Sequence, residues 1–152
     1  MSDNKILIAY FSHSGHTMAV AEKIQSVVGG DLFEIEPVNP YKGDYNKLVE
    51  QGKYEKQHNI FPELKDDGDV SDYDTIYVGT PVWWYTMAPP VKTFLANNNF
   101  AGKTIKPFCT HGGGGASETY TDMQKLAPDA TVSEGFTSYE DTATLDDIKA
   151  WA

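Results

Sequence analysis

Apolar residues fall in short runs separated by polar loops, and these runs alternate with stretches of helical spacing. KILIAYF, Lys5 to Phe11, is an apolar run closed by a polar loop, the pattern of a parallel strand covered on both faces. From Thr17 to Val28 the chain carries Val20, Ile24, Val27 and Val28 at helical spacing and stops at Gly29 and Gly30, which predicts a helix. DLFEIE, Asp31 to Glu36, alternates apolar and acidic positions as a half-exposed edge strand does. A helix is expected around Tyr45 to Gln57, then an irregular loop from His58 to Ser71. DTIYVGT, Asp74 to Thr80, is a second buried-type strand, and APPVKTFLAN opens a helix with Pro89 and Pro90 where proline is tolerated. TIKPFCT, Thr104 to Thr110, is a third, followed by HGGGGAS and a helix through Met123 and Leu126. A weak strand near Thr131 to Phe136 and a short helix that Thr144 and Asp147 cap as a box complete five strand and helix units.

Alternation of this kind predicts an α/β fold, a parallel sheet with helices on both faces, because crossovers between parallel strands need a helix's worth of chain. With 152 residues, the expectation is a single domain over 1–152. Ligands of such sheets bind at the carboxyl ends of the strands, and the three unusual loops of this sequence fall there. Pro107 is a misfit: it lies inside a strand that should be central, where its missing N–H costs a ladder bond.

Charge narrows the partners. The chain has 22 acidic and 12 basic residues, a net charge of −10, and no arginine. Such a surface repels nucleic acid and anionic lipid, so neither is an expected partner. Bidentate guanidinium clamps on phosphate are unavailable. Cys109 alone cannot form an internal disulfide, no run is long enough for a membrane span, and a cytoplasmic protein is expected. The acidic cluster Asp66 to Asp69 lacks calcium-loop spacing and reads as solvated acid; no metal site is expected.

The first loop, SHSGHT, joins strand to helix, so backbone N–H groups and the positive end of the helix converge there. Ser12, Ser14 and Thr17 add hydroxyls, and Gly15 allows close approach, which together describe a phosphate site built from dipoles. A serine cap alone needs one hydroxyl; His13 and His16 either donate to the anion or lie in solvent. The second loop, TPVWWY, puts adjacent Trp83 and Trp84 in an extended segment, where at most one packs inward and at least one is available to stack on a flat ligand. The third, THGGGGAS, is either a flexible surface loop or a place where the amides of Gly112 to Gly115 lie against a planar ring. His111 is then a donor to the ring or a solvated loop residue, and Cys109 is a buried small hydrophobe. There is no Walker sequence, the glycine run does not fit a dinucleotide turn, and a cysteine phosphatase would need an arginine in its anion loop.

SHSGHT, GTPVWW and PFCTHGGG, in that order on a chain of this length, resemble flavodoxin over almost the whole sequence. The resemblance implies a three-layer sandwich with a five-stranded parallel sheet of order 2-1-3-4-5. It implies bound FMN, with the phosphate at Ser12, His13, Ser14, Gly15, His16 and Thr17. The isoalloxazine would lie between Pro81, Val82, Trp83 and Trp84 and Thr110, His111, Gly112 and Gly113. Flavodoxins hold this phosphate with N–H groups and hydroxyls and without a cation, which suits a chain lacking arginine. The implied use is low-potential electron transfer to redox proteins with basic docking surfaces, as a monomer or weak dimer with no catalytic residue of its own. Two features depart from the family. Glycines stand where a third-loop tyrosine covers the flavin, leaving Tyr85 and Tyr120 as candidate covers, and TVSEGF lacks the insertion of long-chain members, so the chain is similar to the short-chain group. An open flavin face also suits an NAD(P)H-dependent reductase of quinones. A module of this fold that binds a partner without flavin is a third reading, disfavoured by the tryptophan pair. Trp151 either packs on the core or supports a dimer.

Overall fold

A computed structural model describes residues 5–13, 15–38, 45–58, 61–83, 85–140 and 142–152. The elements run β1 (Ile6–Tyr10), α1 (His16–Val28), β2 (Asp31–Glu34), α2 (Tyr45–Gln57), β3 (Thr75–Trp83), β4 (Thr86–Met87), α3 (Pro89–Asn97), β5 (Thr104–His111), α4 (Thr119–Leu126), β6 (Thr131–Val132), β7 (Phe136–Tyr139) and α5 (Leu145–Trp151). The sheet order is β2-β1-β3-β5-β6, with β4 paired to β3 and β7 paired to β5. The predicted order 2-1-3-4-5 is its spine, and the count of seven has two causes.

The first is that β3 does not stop at Thr80. It runs on through Pro81 to Trp83 and folds back as an antiparallel pair with β4, Val82 opposite Met87 and Trp83 opposite Thr86. The second is that the predicted strand near Thr131 to Phe136 is two strands. β6 pairs with Thr104 and Ile105, β7 with Phe108 to His111, and the register slips by one residue between them, a bulge at 133–135 beside Lys106 and Pro107.

That slip resolves the proline. The carbonyls of Lys103, Ile105 and His111 accept N–H groups from Thr131, Ser133 and Glu140, so the odd positions of β5 face β6 and β7. Pro107 therefore turns its missing N–H toward the bulge, while the β3–β5 register continues unbroken from Thr104 to Thr110. Gly135 in the bulge is required by packing, since a Cβ there would lie 2.3 Å from the Tyr120 ring.

Alternation within the strands builds two cores. Leu7, Ala9, Ile76, Val78 and Ile105 pack with Val91, Phe94, Leu95 and Met123 of α3 and α4. Ile8, Tyr10, Tyr77 and Phe108 pack with Val20, Ala21, Ile24 and Ile148 of α1 and α5. Phe108 crosses the sheet centre over Gly79, where any side chain would collide with its ring. The Thr144 and Asp147 capping box of α5 forms as predicted, and Trp151 packs on Tyr77 and Phe136 within this second core.

Candidate functional site

β1, β3 and β5 are neighbours in the sheet, so the loops that follow them share one end of it. The first loop is shaped from within: Ser12 Oγ accepts the Gly15 N–H at 3.1 Å, and Gly15 takes φ 94° as the N-cap of α1. A glycine at that position has no side chain to cap the helix, and the first turn carries no acid. The positive end of α1 is thus left to backbone donors, as an anion site requires. Thr17 is buried and its Oγ1 lies 2.8 Å from Thr110 Oγ1, a hydroxyl bridge between the first loop and the end of β5. His16 Nε2 stands 4.0 Å from a Glu140 carboxylate oxygen. Ser14 lies outside the described residues.

Trp83 sits edge-on to Phe11 at 5.5 Å and to His13 at 6.0 Å, half-buried against the α3 and α4 core. Trp83 therefore packs inward; Trp84 lies outside the described residues. Tyr85, just before β4, is held at φ 70° with 64% of its surface exposed. A positive φ at a bulky residue costs on the order of 1 kcal/mol and is held only where its surroundings impose it. Here the Tyr85 carbonyl accepts the Glu118 N–H at 2.9 Å, and Thr86 donates to Asp122 at 2.5 Å, so the turn is tied to α4. Thr80 Oγ1 accepts the Ala88 N–H and donates to the Pro81 carbonyl, fixing the start of the same segment.

In the third loop Gly112, Gly113 and Gly114 are exposed, and a Cβ added at any of Gly112 to Gly115 would meet nothing within 4 Å. The donor set and this bare backbone fit a ligand with an anionic end and a flat body. His111 does not point an unengaged Nδ1 outward: that atom accepts the N–H groups of Gly113 and Gly115, at 3.0 and 3.2 Å. Tyr120 is not available as a cover. Its phenol donates to the Phe136 carbonyl at 2.6 Å and lies 2.8 Å from Thr137 Oγ1 and 3.2 Å from Cys109 Sγ. Burial, with the neighbouring Cys109 second, pushes the phenol well above its ordinary range, and burial also raises the Cys109 thiol.

Two neighbours of the site escape a sequence reading, Tyr139 and Glu140. Tyr139 sets its ring 5.7 Å from that of His111, and the Glu140 N–H donates to the His111 carbonyl at 2.8 Å. Both follow the last strand at its carboxyl end, and that position was the available signal. A groove of about 490 Å3 between β7 and α5, lined by Phe136, Ser138, Thr142, Asp147 and Trp151 among others, contains none of the predicted site residues. Among the described residues no group of acids, histidines and cysteine could hold a metal, and no helix is long and apolar enough to cross a membrane.

Comparison with known proteins agrees with this geometry. A crystal structure of a protein from Bacteroides eggerthii described as a flavoprotein superposes with a TM-score of 0.88 at 33% identity, covering 98% of this chain and 96% of that one. A flavoprotein from Lactobacillus acidophilus, solved in complex with FMN, gives a TM-score of 0.75 at 29% identity over 98% and 99% of the two chains. An NAD(P)H dehydrogenase (quinone) of Chromohalobacter salexigens is 30% identical over 97 residues, 60% of this chain but only 45% of that protein's length. The sequence profile of the family described as Flavodoxin matches residues 5–152, and the chain belongs to that family.

Proposed function

We propose that the chain binds FMN at the shared end of β1, β3 and β5 and serves as a low-potential electron-transfer protein. The observation that carries the reading is the Thr17 to Thr110 bridge, which joins a helix terminus suited to phosphate with a bare glycine backbone suited to a flat ring. When bound, FMN supplies one- and two-electron redox chemistry. The chain's part is to hold it. Backbone N–H groups of 12–17 and the Thr17 hydroxyl take the phosphate; if Thr110 donates within the bridge, the Thr17 proton is left for the anion. Residues 81–84 and 110–113 take the ring.

A net charge of −10 disfavours adding further negative charge to the bound group, which lowers its potential, and it selects partners with basic surfaces. The buried, free Cys109 suits a reducing compartment such as the cytoplasm. The reading takes 1–152 as one domain, monomeric or weakly dimeric.

A second reading, an NAD(P)H-dependent reductase of quinones, is favoured by the exposed glycine loop and by the inward tethering of Tyr120, which takes that ring away from covering the loop. The Chromohalobacter relative points the same way. Anaerobic addition of NADPH, then NADH, to the FMN-loaded protein separates the two. A carrier stays yellow until a reductase or dithionite is added and is then reduced in two resolved one-electron steps; rapid bleaching by the nicotinamide establishes the reductase instead.

A further inference from the structure

We propose that His111 is the positioning residue of the glycine loop: its Nδ1 gathers two loop amides and so fixes, before any ligand arrives, the backbone that receives the flavin ring. The role in flavin binding rests on the FMN reading of the site. The fixing of the loop does not.

Four successive glycines have more conformational freedom than any other tetrapeptide, so a loop of this composition has no defined surface unless something outside its own side chains orders it. His111 provides that order. Its Nδ1 accepts from Gly113 at 3.0 Å and from Gly115 at 3.2 Å, drawing alternate amides inward. Gly113 and Gly115 take φ 136° and 74° in doing so, conformations that non-glycine residues rarely adopt. The N–H groups of Gly112 and Gly114 make no hydrogen bond among the described residues and lie on exposed backbone.

The imidazole is itself held. Its ring meets Tyr139 edge-on at 5.7 Å, and its carbonyl accepts the Glu140 N–H at 2.8 Å, so β7 anchors the residue from a second direction. An Nδ1 that accepts two N–H groups carries no proton. The ring proton then sits on Nε2, which is the ring's remaining donor.

The arrangement divides the loop's amides into two sets. Those of Gly113 and Gly115 are committed to His111, and those of Gly112 and Gly114 are left for a ligand. A preformed loop loses less freedom on binding than a disordered one, so the Nδ1 bonds contribute to affinity separately from any contact His111 makes with the ligand.

Two measurements on nitrogen-15-labelled protein, without and with FMN, test this. Imidazole correlations should show the His111 proton on Nε2, and amide exchange at Gly113 and Gly115 should be slower than at Gly112 and Gly114. His111→Ala should speed exchange at Gly113 and Gly115 and weaken FMN binding by about tenfold, the size of one net hydrogen bond. His111→Asn, whose Oδ1 can occupy the acceptor position, should restore most of both; His111→Gln, which places its oxygen elsewhere, should not. A proton on Nδ1, or alanine exchange rates equal to wild type, overturns the proposal. Loss of FMN binding in alanine and asparagine variants alike, with exchange rescued by asparagine, overturns only the link from loop order to affinity. Wild-type protein that does not bind FMN at all overturns the reading of the site, and the tautomer and exchange data then decide the loop assignment by themselves.

Discussion

Thr17 and Thr110 are 93 positions apart in the chain, and their hydroxyl oxygens meet at 2.8 Å in a buried position where the first turn of α1 crosses the end of β5. Buried hydroxyls require partners, and each is the other's. Thr110→Val keeps the shape and removes one of them, leaving the Thr17 hydroxyl to desolvate without compensation. The expected cost is about 1–2 kcal/mol in urea denaturation. Removing both hydroxyls with Thr17→Val should cost less than the sum of the single changes, a coupling that a double-mutant cycle reads directly.

The Tyr120 ring lies where the side chain of residue 135 would be. A Cβ on Gly135 would fall 2.3 Å from the ring, and the phenol cannot withdraw without giving up its bond to the Phe136 carbonyl. Gly135→Ala is therefore expected to destabilise by about 2–4 kcal/mol, while Tyr120→Phe in the same background recovers little because the ring is what collides. Thermal unfolding of wild type and the two variants checks the order.

How far the sequence could be read depended on the range of the interaction. β1, α1 and α3 were visible because apolar period, glycine stops and tolerated prolines act within a few residues. The bulge was not, since the reason Pro107 sits mid-strand lies 26 positions and more downstream, in the one-residue slip at 133–135. The three site loops were legible from composition, but not their internal wiring. Serine and glycine in SHSGHT predict a dipolar loop, whereas only the fold shows Ser12 closing on Gly15 and Thr17 turned to Thr110. Likewise, His111 reads equally as a donor to a ligand or as a solvated residue until the two glycine amides are seen on its Nδ1.

Cys109 and Tyr120 give the stability a sign at high pH. Burial raises the thiol above its ordinary 9.0 and the phenol above its ordinary 10.0, so in alkali the unfolded chain releases these protons before the folded chain does. Stability from this pair is complete below the thiol's unfolded value and falls as pH rises beyond it. Urea midpoints measured at about pH 8 and about pH 10.5 should drop, and the drop should shrink in Cys109→Ala. Native protein should also resist thiol reagents that modify Cys109 once it is unfolded, since the thiolate is the reactive form.

Thr119 is fully buried at the start of α4, and its hydroxyl has no hydrogen-bond partner among the described residues. Thr119→Val replaces that hydroxyl with a methyl of similar volume. The variant should be as stable as wild type or more stable by up to about 1 kcal/mol, the reverse of Thr110→Val, because here no partner is orphaned. Parallel urea titrations of the two variants make the contrast.

Whether the helix terminus at 12–17 holds a phosphate is decided by paired titrations with FMN and riboflavin. The two ligands share the ring and differ in the phosphate. FMN should quench on binding with an affinity at least about a hundredfold tighter than riboflavin, the worth of two charge-assisted hydrogen bonds. Equal affinities would mean that the ring alone is recognised, and would contradict the assignment of Ser12 to Thr17 as the phosphate site.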